Sequence, residues 1–252
     1  MNHYLAEACE NTFLLFDCLK TQSLDSKTLK KAHERLKESN RDDAIILVHG
    51  INEEHSFTAQ IVVLGLDGVL AEFCGNGARA AAAFLFTHYP KKERLFLRTK
   101  YGKHQIFKHS DGSYSILLPP AQFPSRSQFL PNGAPLGFHY VEVFEPHLIF
   151  EGNISDKELM DIGSSLNQNK DLFPLGINVN AWHRVREDSL FVKTYERGVQ
   201  RLTKSCGSGS IACASFYKKK GRVAITTPGG NLEVTFSLNH VELKGPSFFI
   251  SN

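Results

Sequence analysis

Residues 73–84 read FCGNGARAAAAF, and residues 205–216 read SCGSGSIACASF. Each copy sets a cysteine before a Gly-x-Gly turn and a run of small residues. Gly75 and Gly77 are expected to make the turn through unusual backbone angles. Residues 78–86 have strong helix propensity and little polarity beyond Arg79. A helix this apolar is predicted to be the buried centre of a domain. Pro90 ends it, and the basic residues of HYPKKER suit its negative end. In the second copy Gly207 and Gly209 make the turn, SIACASFY forms the helix, and Gly221 after KKK is the expected C-terminal cap.

The repetition extends outward from these motifs. HYLAEACENTFLLFD, from His3, resembles HYVEVFEPHLIFE, from His139, and both read as strand, polar break, strand. A helix follows in each half. In the first, Ser26 is the expected N-cap, with Leu29, Ala32 and Leu36 on one face. In the second, Ser155 caps and Glu158 completes a capping box. DDAIILVH and GINVNAWHRV then read as strands, as do AQIVVLGLDG and SLFVKTYERG. After the cysteine motifs, TKYGKHQIFKHSDGSYSILL and TTPGGNLEVTFSLNHVELKG each read as a hairpin. The blocks keep their order at an offset of about 130 residues, too long for a solenoid repeat. Two similar α/β domains are predicted, over residues 1–120 and 121–252, with the last strand left able to pack on the first half. The Pro-, Gly- and Ser-rich stretch at 119–137 is the expected junction.

Composition narrows the function. With 42% apolar and 22% charged residues, the chain has an ordinary globular balance. A net charge of +3 gives no basis for nucleic-acid binding. No apolar run reaches the roughly 18 residues of a membrane span, and the N-terminus lacks a signal-peptide pattern, so a cytoplasmic protein is expected. Five cysteines, an odd count without a secretory signal, argue against a disulfide framework. No Cys-x-x-Cys or His-Glu-x-x-His spacing suggests zinc, so no metal is expected. Cys18 and Cys213 lie in apolar stretches and read as core; Cys9 stays ambiguous.

A helix N-terminus presents backbone N–H groups and the positive end of a dipole, which suits a carboxylate. It also favours the thiolate of a cysteine placed there. A single such cysteine is best read as a small core residue. Two, at equivalent places in a duplicated chain, point to a reactive pair. One thiolate can remove the proton alpha to a carboxylate, while the other thiol protonates the opposite face and inverts the centre. Nothing in that chemistry needs a cofactor.

CGNGAR, YERG followed by CGSG, FPLGINVN and TPGGNLEV together resemble the diaminopimelate epimerase family, in matching order over nearly the whole chain. The resemblance implies two pseudosymmetric α/β domains, each a β-sheet wrapped around a central helix, with the active site in the interdomain cleft. It implies an isomerase independent of pyridoxal phosphate, acting on LL- and meso-diaminopimelate in lysine and peptidoglycan-precursor synthesis, and a homodimer. It casts Cys74 and Cys206 as the catalytic pair. Gly75, Asn76, Gly207 and Ser208 match the residues holding the reacting carboxylate. Asn11, Asn178, Glu196 and Arg197 match further substrate-binding positions, with Arg197 suited to a distal carboxylate.

Three positions depart from the family pattern. Gly65, in GLDGV, stands where the family has a substrate-binding Asn; so does Glu145, in FEPH; Thr12 replaces an Asp. The inversion machinery is complete while distal recognition is altered. Relaxed selectivity, extending to glutamate, is therefore expected, unless Glu145 pairs with a distal ammonium. Two alternatives stay open: another two-cysteine amino-acid racemase, and a non-catalytic ligand-binding relative.

Overall fold

The computed structural model describes residues 2–123 and 137–250. Most of the expected junction therefore lies outside the described residues. The chain divides into one unit of Met1–Leu117 with Lys244–Asn252 and a second of Leu118–Leu243.

The first unit opens with the hairpin β1 (Asn2–Ala8) and β2 (Asn11–Cys18). Its two turn residues, Cys9 and Glu10, both take left-handed φ, 52° and 61°. Two-residue hairpin turns that match strand twist require this of both positions. α1 (Ser26–Ser39), β3 (Asp43–Asn52), β4 (Ser56–Gly65), α2 (Gly75–His88), β5 (Arg94–Thr99), β6 (Gly102–Lys108) and β7 (Tyr114–Leu118) follow. Asp25, not Ser26, caps α1: its carboxylate accepts the Thr28 N–H at 2.7 Å. Both residue types can cap a helix, and the extended backbone falls at the earlier one.

The second unit repeats the order. It runs through β8 (Phe138–Val143), β9 (Glu145–Glu151), α3 (Asp156–Gln168), β10 (Asn178–Arg186) and β11 (Ser189–Glu196). A short β12 (Arg201–Thr203), α4 (Gly207–Tyr217), β13 (Gly221–Thr227), β14 (Gly230–Phe236) and β15 (Val241–Gly245) complete it. The final strand, β16 (Phe248–Ile250), pairs with β1. Pairing sense repeats as well as order. β1·β2 and β8·β9 are antiparallel, β2·β3 and β9·β10 parallel, β3·β4 and β10·β11 antiparallel. β4·β5 and β11·β13 are parallel. The Ser155–Glu158 capping box of α3 is present as expected. Gly221 is not a helix cap. α4 already ends at Tyr217, and Gly221, with φ +82°, turns the chain into β13.

Each sheet is covered on both faces, which is why its central strands read as near-continuous apolar runs. In the first unit, Leu14 and Phe16 of β2 face α1, clustering with Ala32, Leu36, Ala44 and Ile46. The alternate residues, Phe13 and Leu15, are equally buried. α2 packs on β1–β6 and β16 and is buried from Gly75 through Leu85. α4 takes the same place among β8–β11, β13 and β14. The sheet-around-a-helix architecture expected from the motifs is what forms. No helix among the described residues is long and apolar enough to cross a membrane.

Candidate active site

Both repeated cysteines are helix N-caps. Cys74 has extended backbone (φ −132°, ψ 106°), and its Sγ accepts the Gly77 N–H at 3.2 Å. Cys206 matches it (φ −121°, ψ 114°), with Sγ accepting the Gly209 N–H at 3.4 Å. Sulfur thus does what a Ser or Asp oxygen does at an ordinary cap. The helices' own bonds also engage Ala78 N–H with Cys74 O and Ser210 N–H with Cys206 O. The first turns are opened by Gly75 and Asn76, and by Gly207 and Ser208. Those are the four residues the family motif assigns to the carboxylate.

The glycines work differently from the expectation. None of Gly75, Gly77, Gly207 and Gly209 has positive φ. They open the helices, and close approach leaves no room for a side chain at Gly209 and little at Gly77. A Cβ on Gly209 would lie 2.2 Å from Asn180 Oδ1, and one on Gly77 would lie 3.3 Å from Cys74 Sγ.

What surrounds the two thiols is opposite in charge. Behind Cys74, Arg79 is fully buried, with no carboxylate partner among the described residues. Nη2 donates to Asn76 Oδ1 at 2.7 Å and to Cys9 Sγ at 3.5 Å; Nη1 donates to Gly75 O at 3.3 Å; Nε has no partner. Burial lowers the Arg79 pKa, while the Cys9 and Cys74 sulfurs oppose that shift. A cation placed there favours a thiolate at the adjacent N-cap.

Beside Cys206 sits Glu196, whose carboxylate accepts the Thr203 hydroxyl at 2.7 Å. Burial pushes the Cys206 thiol well up, and Glu196 adds to the shift; the Ser208 hydroxyl and Gly209 N–H counter it only in part. The expectation that the helix end would make this thiol acidic is therefore reversed. Glu196 is itself raised, chiefly by burial. Cys213 is raised by burial and lies in the core, as does Cys18.

A third cluster joins residues that the sequence separates. Asn178 donates to Glu145 Oε2 at 3.0 Å and accepts the Arg197 N–H at 3.0 Å. Arg197 Nη2 lies 3.6 Å from Glu145 Oε1, and both side chains are largely buried, at 16% and 15% exposed. Arg197 Nη1 also donates to Leu175 O. Asn11 opens β2 opposite Ala8, and Gly65 closes β4 opposite Asp43; neither hydrogen-bonds the Cys74 turn among the described residues. Thr12 bonds Asp42 through its hydroxyl at 2.8 Å.

Arg79, Asn180, Thr194 and His147 were not singled out from the sequence. Asn180 takes the Thr194 hydroxyl proton at 2.8 Å and donates to Leu148 O, fixing the strand surface on which Gly209 rests. His147, paired in register with Asn178, is fully buried; Nδ1 meets Asn180 Nδ2 at 3.1 Å and Nε2 has no partner. Its signal in the sequence was the FEPH segment it shares with Glu145; its pairing with Asn178 was not legible there.

Burial, then Arg197, pushes the His147 pKa down to about 3. In the unfolded chain a histidine titrates near 6.5. The folded state therefore refuses a proton the unfolded state accepts, so stability is full above about pH 6.5 and is lost as pH falls toward 3. Between pH 7 and pH 4 the loss from this residue should be on the order of 3 kcal/mol. Urea titrations of wild type and His147→Gln across that range check it. An equal acid slope in both proteins would contradict the assignment.

No protein-family model matches the chain. Curated relatives do. A diaminopimelate epimerase of Listeria innocua is 28% identical, covering 96% of this chain and 84% of the relative. Another, from Aquifex aeolicus, is 29% identical over 81% and 76%. One from Chlamydia trachomatis is 32% identical over 62% and 58%. Among solved structures, a probable proline racemase from Agrobacterium radiobacter superposes with TM-score 0.74 at 11% identity, covering 99% of this chain and 92% of that one. A PhzF-family phenazine biosynthesis protein from Bacillus anthracis gives 0.66 at 12%, over 99% and 96%. Identities that low speak for the fold alone. The sequence relatives define an isomerase of the epimerase class. The relatives named are diaminopimelate epimerases, and the chain is similar to them over most of its length.

Proposed function

We propose that the chain interconverts LL- and meso-diaminopimelate without a cofactor, with Cys74 as the resting base and Cys206 as the resting acid. The observation carrying this reading is the unlike surroundings of the two N-cap thiols: a buried guanidinium near half-buried Cys74, and a carboxylate near buried Cys206. The Cys74 thiolate takes the α proton and becomes a thiol. The electron pair left on carbon spreads into the α-carboxylate, where first-turn N–H groups of α2 and α4 stabilise it. Cys206 gives its proton to the opposite face and becomes the thiolate. Proton exchange with solvent then restores the resting state. For the other stereoisomer the roles reverse.

Arg197 and Asn178 hold the distal end in this reading, and Asn11 the near end. Gly65 offers no side chain there, so selectivity is relaxed at the distal end. Racemisation of glutamate, raised by the sequence, requires Arg197 to exchange Glu145 for the substrate's carboxylate. The enzyme acts on free amino acids in the cytoplasm, as a homodimer.

Proton NMR in D2O tests this on the reduced protein with LL-diaminopimelate. Loss of the α-proton signal together with appearance of the meso isomer is the expected result. No exchange, with all thiols reduced, would favour the non-catalytic relative.

A further inference from the structure

Glu145 changes what the distal pocket can accept. The Arg197 guanidinium is already engaged by this carboxylate at 3.6 Å, in a site where both side chains are about five-sixths buried. Asn178, whose amide would otherwise be available to a ligand, donates to the other Glu145 oxygen. Asn178 Oδ1 is taken by the Arg197 backbone N–H, and Arg197 Nη1 by Leu175 O. The cluster is thus closed upon itself through Glu145. A second carboxylate, Glu196, lies within electrostatic reach of Glu145. Arg197 is thus already matched by Glu145, Glu196 has Arg201 as its nearby cation, and the neighbouring His147 is neutral.

The sign of the ligand follows. A substrate bringing only a distal carboxylate would add a third anion and would have to displace Glu145 from Arg197. A substrate bringing a distal ammonium meets Glu145 directly and relieves its repulsion with Glu196. Diaminopimelate carries both groups and can satisfy Glu145 with one and Arg197 with the other.

We infer that Glu145 makes the distal pocket select for an ammonium group, so that basic amino acids such as lysine are racemised while glutamate is rejected. This rests on the reading above, that Arg197 and Asn178 line the substrate's distal end. It gives relaxed selectivity a direction: toward diamino acids with one carboxylate, and away from dicarboxylic acids with one amine.

The test is α-proton exchange in D2O with LL-diaminopimelate, L-lysine and L-glutamate at equal concentration, for wild type and Glu145→Gln. The variant keeps the side chain's length and one acceptor but removes the charge. Wild type should exchange lysine at least about tenfold faster than glutamate, and Glu145→Gln should reverse or abolish that preference, since opposed charges at such sites discriminate strongly. Glutamate exchanging as fast as lysine in wild type would overturn the inference. So would a lysine-to-glutamate ratio unchanged in the variant, or exchange of diaminopimelate with neither of the other two. Failure with diaminopimelate while lysine is turned over would sink the proposed function instead and leave the ammonium selectivity standing. Exchange with none of the three would sink both.

Discussion

Cys206→Ala should lose inversion by on the order of 10³-fold, the usual worth of a positioned proton donor, yet continue to exchange the α proton of one stereoisomer. The surviving Cys74 thiolate can still reach the hydrogen on its own face. With no donor opposite, the proton returns from the side it left. Deuterium enters and configuration is kept. Cys74→Ala should show the mirror image, exchanging the other stereoisomer, and more slowly, because Cys206 is held as a thiol by burial and by Glu196. Chiral chromatography beside NMR separates exchange from inversion. If either variant inverted within about tenfold of wild type, the two-base assignment would be wrong.

Arg79→Met should cost activity without costing the fold. A buried guanidinium with no carboxylate partner is a burden on stability. Removing it relieves that burden but withdraws the hydrogen bond given to the buried Asn76 side-chain oxygen, a loss of about 1–3 kcal/mol. These effects oppose one another, so the melting temperature should move by no more than a few degrees. Turnover should fall by about 10- to 100-fold, because the charge favouring the Cys74 thiolate is gone and Asn76 is no longer held. The alkaline displacement of the rate profile, and of thiolate absorbance near 240 nm, distinguishes an electrostatic role from a merely structural one. Arg79→Lys should restore part of that displacement. A variant with the wild-type pH profile, however active, would exclude the role.

Much of this was legible in the chain. The two Cys-Gly-x-Gly motifs sit in matching blocks, and the structure repeats not only the element order but the sense of each strand pair. Apolar helix composition foretold the burial of α2 and α4 because burial on all sides leaves no polar face to preserve. Local chemistry was read less well where two residues could serve. Asp25 and Ser26 are both cap formers, and only backbone conformation decides between them. The motif glycines were rightly singled out but for the wrong cause. Their spacing suggested backbone freedom, whereas Gly209 is small because Asn180 of β10 presses on it.

The site's charges were hidden for the same reason. Arg79 follows Cys74 closely in sequence, but that no carboxylate pairs with it among the described residues depends on how the chain packs. The Glu145–Arg197 pair joins residues some 50 positions apart, across a strand order that no periodicity reveals. Glu145 was read as a departure that could pair with a distal ammonium; that it meets Arg197 was not legible.

The unlike neighbours of the two thiols also bear on kinetics over time. In the two-thiol mechanism proposed above, each turnover leaves the enzyme in the protonation state opposite to its start. If the two states were of equal energy, both directions would find half the molecules ready. Holding the free enzyme in one state supplies one stereoisomer with a waiting catalyst and makes the other wait for a proton to be redistributed. At saturating concentrations that redistribution becomes the slow step, and the directions differ in maximal rate. The Haldane relation then obliges the Michaelis constants to differ in compensation, since no arrangement of charges in a catalyst can move the equilibrium between its substrates.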